Sequence, residues 1–415
     1  DVEVLKIDES NENRDKAMGY QIMAVPTIVI DGEVTFVGAP MADELIDKLE
    51  SVPDPRSGNA KKHKLGDILF MSIAAAVAGA DTWYDIEDYA VAHEDFFRKY
   101  LELPAGIPSH DTFNRVFAIM DPKALEEHYQ EWVNDYVKLQ PGDIISVDGK
   151  TIRGAGSRGS NSAVHMVSSC LSESGISLGQ IKIDEKSNEI TAVPKLLDML
   201  DIKGCVVTAD AMSFQTKIVD KIVEKKGYYV LAVKDNQRRL AEEIEETTKM
   251  VKANSTFKEI DADHGRVEER FYSVYRDLSF IRASWNWQQL GAIVVVESKR
   301  FDKKTQKETA ERRFYITNIR RGHTPLIAKA IRSHWSVENG LHWVLDVVFD
   351  EDRSQKRFKN AAENFSRLMR VVMSLLKKDR QRPGHDKPLR RKRKHAAWNT
   401  RVLERIMLGI EEEMR

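Results

Sequence analysis

The chain has 415 residues, 42% of them hydrophobic, two cysteines, and a longest mainly apolar run, Ile68–Ala80, too short to cross a bilayer. That composition supports two to four folded domains and excludes a disordered chain, a disulfide scaffold and a membrane span; with no signal peptide visible, a cytoplasmic location is expected. The net charge of −1 is an average: residues 1–50 hold 12 acidic and 4 basic side chains, a net of −8, so residues 51–415 carry +7, which suits a polyanionic partner.

In the first fifty residues, IVIDGEVTFVG reads as two strands joined at Asp31-Gly32, a strong hairpin signal, and MADELIDKLE as an amphipathic helix. With VEVLKIDES and a short helix to Gly19 ahead of them, residues 1–50 resemble the C-terminal part of a thioredoxin-like domain, Val25-Pro26-Thr27 matching its cis-proline loop. No cysteine precedes Cys170, so the fragment lacks the Cys-x-x-Cys pair needed for thiol exchange. Cys170 and Cys205 fall in predicted strands and are expected to be buried thiols. The start at Asp1 leaves open a partial sequence or a junction with a disrupted host gene.

Residues 51–63 read as a linker, with Pro53, Pro55 and Gly58 breaking any helix. From 64 to 140 the pattern is helical, with Leu65, Ile68, Leu69 and Ile73 on one face. A second helix is predicted to begin near Ser109–Asp111 and to carry Phe113, Val116 and Phe117.

From Asp143 the spacing predicts a strand ending at Asp148, strands over 163–171 and 176–183, and a helix over 189–200. A strand ending at Asp210, a helix over 215–226, a strand over 228–233 and a polar helix over 237–250 follow. A three-stranded meander followed by alternating helices and strands makes a mixed sheet covered by helices, in which the strands bearing Asp148 and Asp210 can lie side by side. Glu338 follows in IRSHWSVENGLHW, a helical segment. Two aspartates and a glutamate suit a two-metal phosphoryl-transfer site, because two hard cations can stabilise both the entering and the leaving oxygen.

VDGKTIRG, DEKSNEITAVPKLLDMLDIKGCVVTADAM and IRSHWSVENGLHWVLDVVFDEDRS resemble the insertion-sequence DDE transposases of the H-repeat-associated group, from about Val52 to near the C-terminus. The resemblance implies an α/β, ribonuclease-H-like mixed-sheet core and metal-dependent DNA cleavage and strand transfer at element ends. It also implies Asp148, Asp210 and Glu338 as ligands of two Mg²⁺ or Mn²⁺ ions, and an oligomer assembled on DNA. Many relatives place Tyr, Arg and Lys around the glutamate, where this chain has Ile331, His334 and Leu345. His334 is expected to orient water or the leaving strand. His334, Glu338 and His342, at spacings of four, also read as one helical face, which leaves a zinc site as an alternative.

The expected domains are the thioredoxin-like fragment (1–50), a linker (51–63), an N-terminal helical domain (64–140), the catalytic domain (141–376, with a β-rich insertion at about 251–321) and a basic C-terminal tail (377–415). In that tail, residues 377–394 hold 10 basic and 2 acidic side chains, including RRKRK at 390–394. The expected DNA contacts are Lys150, Arg153, Lys234, Asn236, Arg353, Arg357, Arg390 and Arg391. Two other classes stay open: a DNA-binding remnant without catalysis, which a cleavage assay would separate, and a redox module, which the missing cysteine pair opposes.

Overall fold

The computed structural model describes residues 27–30, 33–37, 41–155, 163–183, 189–210, 215–234, 237–263, 266–320, 323–382 and 384–410. The chain forms two compact units, one of residues 1–110 with 378–415 and one of residues 111–377. The block expected at 64–140 is thus divided, and the expected tail is folded into the first unit.

In the first unit, β1 (Thr27–Ile30) and β2 (Glu33–Val37) form the expected hairpin, with Ile30 paired to Glu33. Most of the thioredoxin-like segment, including Val25-Pro26, lies outside the described residues. Helices α1 (Met41–Glu50) and α2 (Leu65–Val77) follow. Every residue of α2 is buried, because its neighbours cover the side that the sequence pattern left for solvent. Helix α3 (Trp83–Ala92) starts at Thr82, whose hydroxyl accepts from the Asp85 N–H while the Asp85 carboxylate accepts from the Thr82 N–H, a reciprocal cap. The single turn α4 (Glu94–Phe97) completes this stretch.

The second unit opens with α5 (His110–Ile119), whose first residue is the last of the first unit, and α6 (Pro122–Tyr136). Its sheet strands are β3 (Ile144–Ile152), β4 (Val164–Leu171) and β5 (Ser177–Ile183), then α7 (Glu189–Asp198), β6 (Val206–Ala209), α8 (Thr216–Glu224), β7 (Tyr228–Val233) and α9 (Arg238–Met250). Four further strands follow: β8 (Ser255–Asp263), β9 (Arg266–Tyr275), β10 (Ala292–Asp302) and β11 (Lys307–Thr317). All nine lie in one sheet, ordered β5-β4-β3-β6-β7-β11-β10-β9-β8. The meander is antiparallel, and β6 and β7 run parallel to β3. This is the α/β, ribonuclease-H-like arrangement the sequence implied.

The insertion does not stand apart from the core. Strand β11 pairs with β7, from Phe314 opposite Val233 to Thr317 opposite Val230, and extends the same sheet. Parallel strand β7 would otherwise leave an open edge, and antiparallel β11 covers it. Helix α10 (Thr324–Val337) lies on this extension, burying Ile327, Ala328, Ala330 and Ile331 with Tyr272, Val274, Val294 and Tyr315. After a further short helix, α11 (Trp343–Val347), comes α12 (Ala361–Arg380). The basic segment then forms α13 (Leu389–Trp398) and α14 (Thr400–Leu408), which pack with α2 in the first unit. No described helix is long and apolar enough to cross a membrane.

Candidate active site

Parallel pairing sets Val147 of β3 beside Ala209 of β6. The next residue on each strand is an aspartate, so Asp148 and Asp210 leave neighbouring strands at one level. The strand bearing Asp148 does not end there, as expected, but continues to Ile152 because β4 goes on pairing with it, Ser168 opposite Asp148.

Asp148 is pushed up to about 7 from the usual carboxylate range. Burial is the main cause; the Gly149 N–H, donating to it at 2.9 Å, pulls the other way, and Glu189, Asp210 and Glu338 raise it by repulsion. Glu189 is the acid that the sequence did not single out. It opens α7, and its Oε1 lies 2.9 Å from His165 Nε2, whose Nδ1 is 2.7 Å from Thr151 Oγ1. A side chain at Gly149 would meet the Glu189 carboxylate and the His165 ring, so a larger residue there would push both away from Asp148. Among 65 acidic residues, only this tertiary contact distinguishes Glu189.

Asp210 accepts from Lys234 Nζ at 2.8 Å. Beside it, Thr208 is buried and donates its hydroxyl hydrogen to Ser146 Oγ at 3.1 Å, while its oxygen lies 3.2 Å from His334 Nδ1. With that hydrogen committed, Nδ1 must donate, which leaves the lone pair on Nε2. Burial holds the His334 pKa below its usual value, outweighing the attraction of Asp210, so the imidazole is neutral at pH 7.

The segment carrying the third acid departs from regular helical spacing. Between α10 and α11, residues Glu338–His342 form a π turn. The widened turn breaks the regular four-residue alignment, so His334, Glu338 and His342 do not act as one face. His334 meets β6, the His342 Nδ1 lies 3.4 Å from Asp148 Oδ2 on β3, and Glu338 is exposed. The zinc alternative needed that shared face. The Gly340 carbonyl accepts from Lys377 Nζ at 2.9 Å, which also donates to the Gly175 carbonyl at 2.6 Å and ties the turn to the meander. Burial depresses His342 to about 4, making its contact with Asp148 one between a neutral ring and a carboxyl group.

The expected DNA contacts divide. Lys150, expected at phosphate, is buried instead: its Nζ lies 2.7 Å from Asp346, 2.9 Å from Glu351 and 3.4 Å from Asp352. An ammonium surrounded by three carboxylates is taken, and it fastens β3 to the segment after α11. Arg153 and Arg353 are exposed, 3.8 Å from Asp352 and 3.5 Å from Asp350. Arg357 is exposed and donates to the Gly154 carbonyl at 3.1 Å. Lys234 is largely exposed beside Asp210. Asn236 lies outside the described residues, and Arg390 and Arg391 are exposed on α13 in the other unit.

Next to Glu338, the insertion and α10 enclose a cavity of about 400 Å³ lined by Arg266, Arg270, Arg300, Arg313, Arg332 and Trp335, together with Asp261, Glu268 and Glu311. Arg313 stacks over the Trp335 ring at 4.8 Å.

Carboxylates crowding a buried aspartate are the donor chemistry of a hard divalent cation, which would offset their repulsion. His342 Nε2 is also buried without a partner among the described residues. As the side chains stand, however, no described group of three His, Cys, Asp or Glu residues is close enough to hold a metal ion. Asp210 is engaged by Lys234 and Asp148 by His342. The residues fit the ion by type, and closing a shell requires them to turn from these neighbours.

The Transposase DDE domain family matches residues 139–376, the family described as DDE_Tnp_1-associated matches residues 46–133, and the Thioredoxin domain family matches residues 2–50. A putative transposase, YncI of Escherichia coli O157:H7, is 39% identical over 377 residues, covering 89% of this chain and 95% of its own length. The H repeat-associated putative transposase YhhI of Escherichia coli strain K12 is 37% identical over 375 residues, 88% of this chain and 98% of its own. A thioredoxin of Methanocaldococcus jannaschii is 56% identical over 39 residues, 9% of this chain and 46% of its own. With most of its length matched in this way, the chain belongs to the DDE transposase family, among the H-repeat-associated members, and carries a thioredoxin-like segment at its start.

Proposed function

We propose that this protein carries out metal-dependent DNA cleavage and strand transfer at the ends of an insertion sequence. Asp148, Asp210 and Glu338 would hold two divalent ions, Mg²⁺ or Mn²⁺, and such ions stabilise the charge on the entering and leaving oxygens of a phosphodiester. The observation that supports the reading is the β3–β6 register, Val147 beside Ala209 with an aspartate next on each, together with the packing on both strands of the helix that leads into Glu338.

The chain's own groups supply orientation and proton handling. His334 Nε2, bare because Nδ1 donates to Thr208, accepts a hydrogen bond from the attacking water or 3′-hydroxyl and orients it. Lys234 meets a phosphate beside Asp210. The cavity next to Glu338 receives the DNA strand, with Arg313 and Trp335 offering a charged and a flat surface. Arg153, Arg353 and Arg357 make a second basic border close to Gly154. Strand transfer joins two ends, so two copies are required on DNA.

The test is Asp148→Asn assayed on terminal-repeat duplexes. Mg²⁺-dependent nicking should fall by about 10³-fold or more, the scale of several kcal/mol of lost transition-state stabilisation, while duplex binding persists. Nicking at the parental rate would show that the triad is wrong.

A further inference from the structure

Helix α13, LRRKRKHAAW, sorts its cations onto two sides. At about 100° per residue, positions 389, 392, 393 and 396 fall on one side and 390, 391, 394 and 398 on the other. The first set is buried. Its two cations are neutralised there: Lys392 pairs with Asp379, which also takes Arg405 Nε at 2.9 Å, and Arg393 donates to Asp81 at 2.7 Å and to the Ala76 carbonyl at 3.1 Å. The second set faces solvent. Arg390, Arg391 and Lys394 are exposed with no ion pair among the described residues, and Trp398 is 76% exposed. From 387 to 408 the single acid is Glu404, and Tyr100 (3.0 Å) and Lys99 (3.6 Å) occupy its carboxylate. Two aspartates thus cover the inner cations, while no described acid pairs with the outer three.

We propose that this outer face of α13 docks on the phosphate backbone of duplex DNA, an assignment that rests on reading the protein as a DNA-processing enzyme. Arg390 and Lys394 stand about 6 Å apart along the helix axis, and Trp398 lies a similar distance beyond. The three cations meet phosphates and the indole lies against the adjoining sugar edge. Such contacts carry charge but no base identity, so the face anchors DNA without selecting sequence.

The experiment compares the full chain with the Arg390→Gln, Arg391→Gln, Lys394→Gln triple variant, measuring affinity for a labelled duplex across a salt series. Each phosphate contact contributes about 0.9 to the slope of log K against log salt, so the variant's slope should be shallower by about 2.7, equally for element ends and unrelated duplexes. A slope within about 0.5 of the parent overturns the assignment, as does retained duplex binding with loss only of affinity for an acidic peptide. Independently, Trp398→Phe should diminish the tryptophan emission change on DNA binding, leaving the part that comes from Trp335 at the cavity; an undiminished change also overturns it. Absence of salt-dependent binding to any duplex by the parent chain would instead defeat the DNA reading itself.

Discussion

The two strand-borne aspartates and the glutamate after α10 are positioned by different physics. Backbone hydrogen bonds of the β3–β6 ladder fix where Asp148 and Asp210 emerge; changing a neighbouring side chain cannot move them far. Glu338 stands exposed on a π turn whose place depends on side chains: Lys377 on the Gly340 carbonyl, and Lys150 and Arg370 on Glu351 in the segment beyond. Strand pairing gives rigidity without choice, whereas a salt-bridged turn can be adjusted. Burial also makes Asp148 costly to ionise.

The strongest way to break this contrast is to remove the link between its halves. Lys150→Met should destabilise the fold by about 3–5 kcal/mol, because a buried ion cluster loses one of its two cations and leaves Glu351 to Arg370 alone, and Lys150→Arg should lose less. Urea denaturation measures both; a loss below about 1 kcal/mol would mean that Lys150 does not hold the segment.

A smaller effect sharpens the electrostatic side. Asp148 binds its proton more tightly in the folded state than in the unfolded chain, so its contribution to stability falls as pH rises from about 4 to about 7. Asp148→Asn removes that penalty. In EDTA the variant should match the parent near pH 4.5 and gain on it up to pH 7.5, reaching a few kcal/mol, since each tenfold difference in proton affinity is worth roughly 1.4 kcal/mol. An advantage that does not change with pH would contradict the burial of Asp148 and its crowding by Glu189, Asp210 and Glu338.

The smallest expected change completes the comparison. Glu338 is exposed, so Glu338→Gln should alter stability by no more than about 0.5 kcal/mol, yet remove nicking as fully as Asp148→Asn. Melting curves and a cleavage assay together decide this; a loss of stability above about 1 kcal/mol would show that the fold depends on the Glu338 side chain.

Much of the second unit was legible because its elements are written in local pattern. The strand at 228–233 and the helices at 189 and 215 lie within a few residues of their predicted bounds, since apolar period and turn residues act over short range. Glu189 was not legible. Its proximity to Gly149 joins residues forty apart, and nothing local marks a glutamate at a helix start. Lys150 misled for a related reason, as a lysine two residues after an aspartate looks solvent-facing until Asp346, Glu351 and Asp352 close around it. RRKRK read as one uniform run, and only packing divided it into neutralised and exposed cations.

By itself, the sequence determined the mixed α/β order, the two aspartates that follow apolar runs, and the absence of a thiol pair in the first fifty residues. Residue type and short-range periodicity are enough for those. Tertiary structure decided that the insertion extends the sheet, that the Glu338 turn is a π turn, that a fourth carboxylate presses on Asp148, and which cations remain outside. Each of those depends on contacts between residues distant in sequence, whose energies come from burial and paired charge and leave no local trace in the chain.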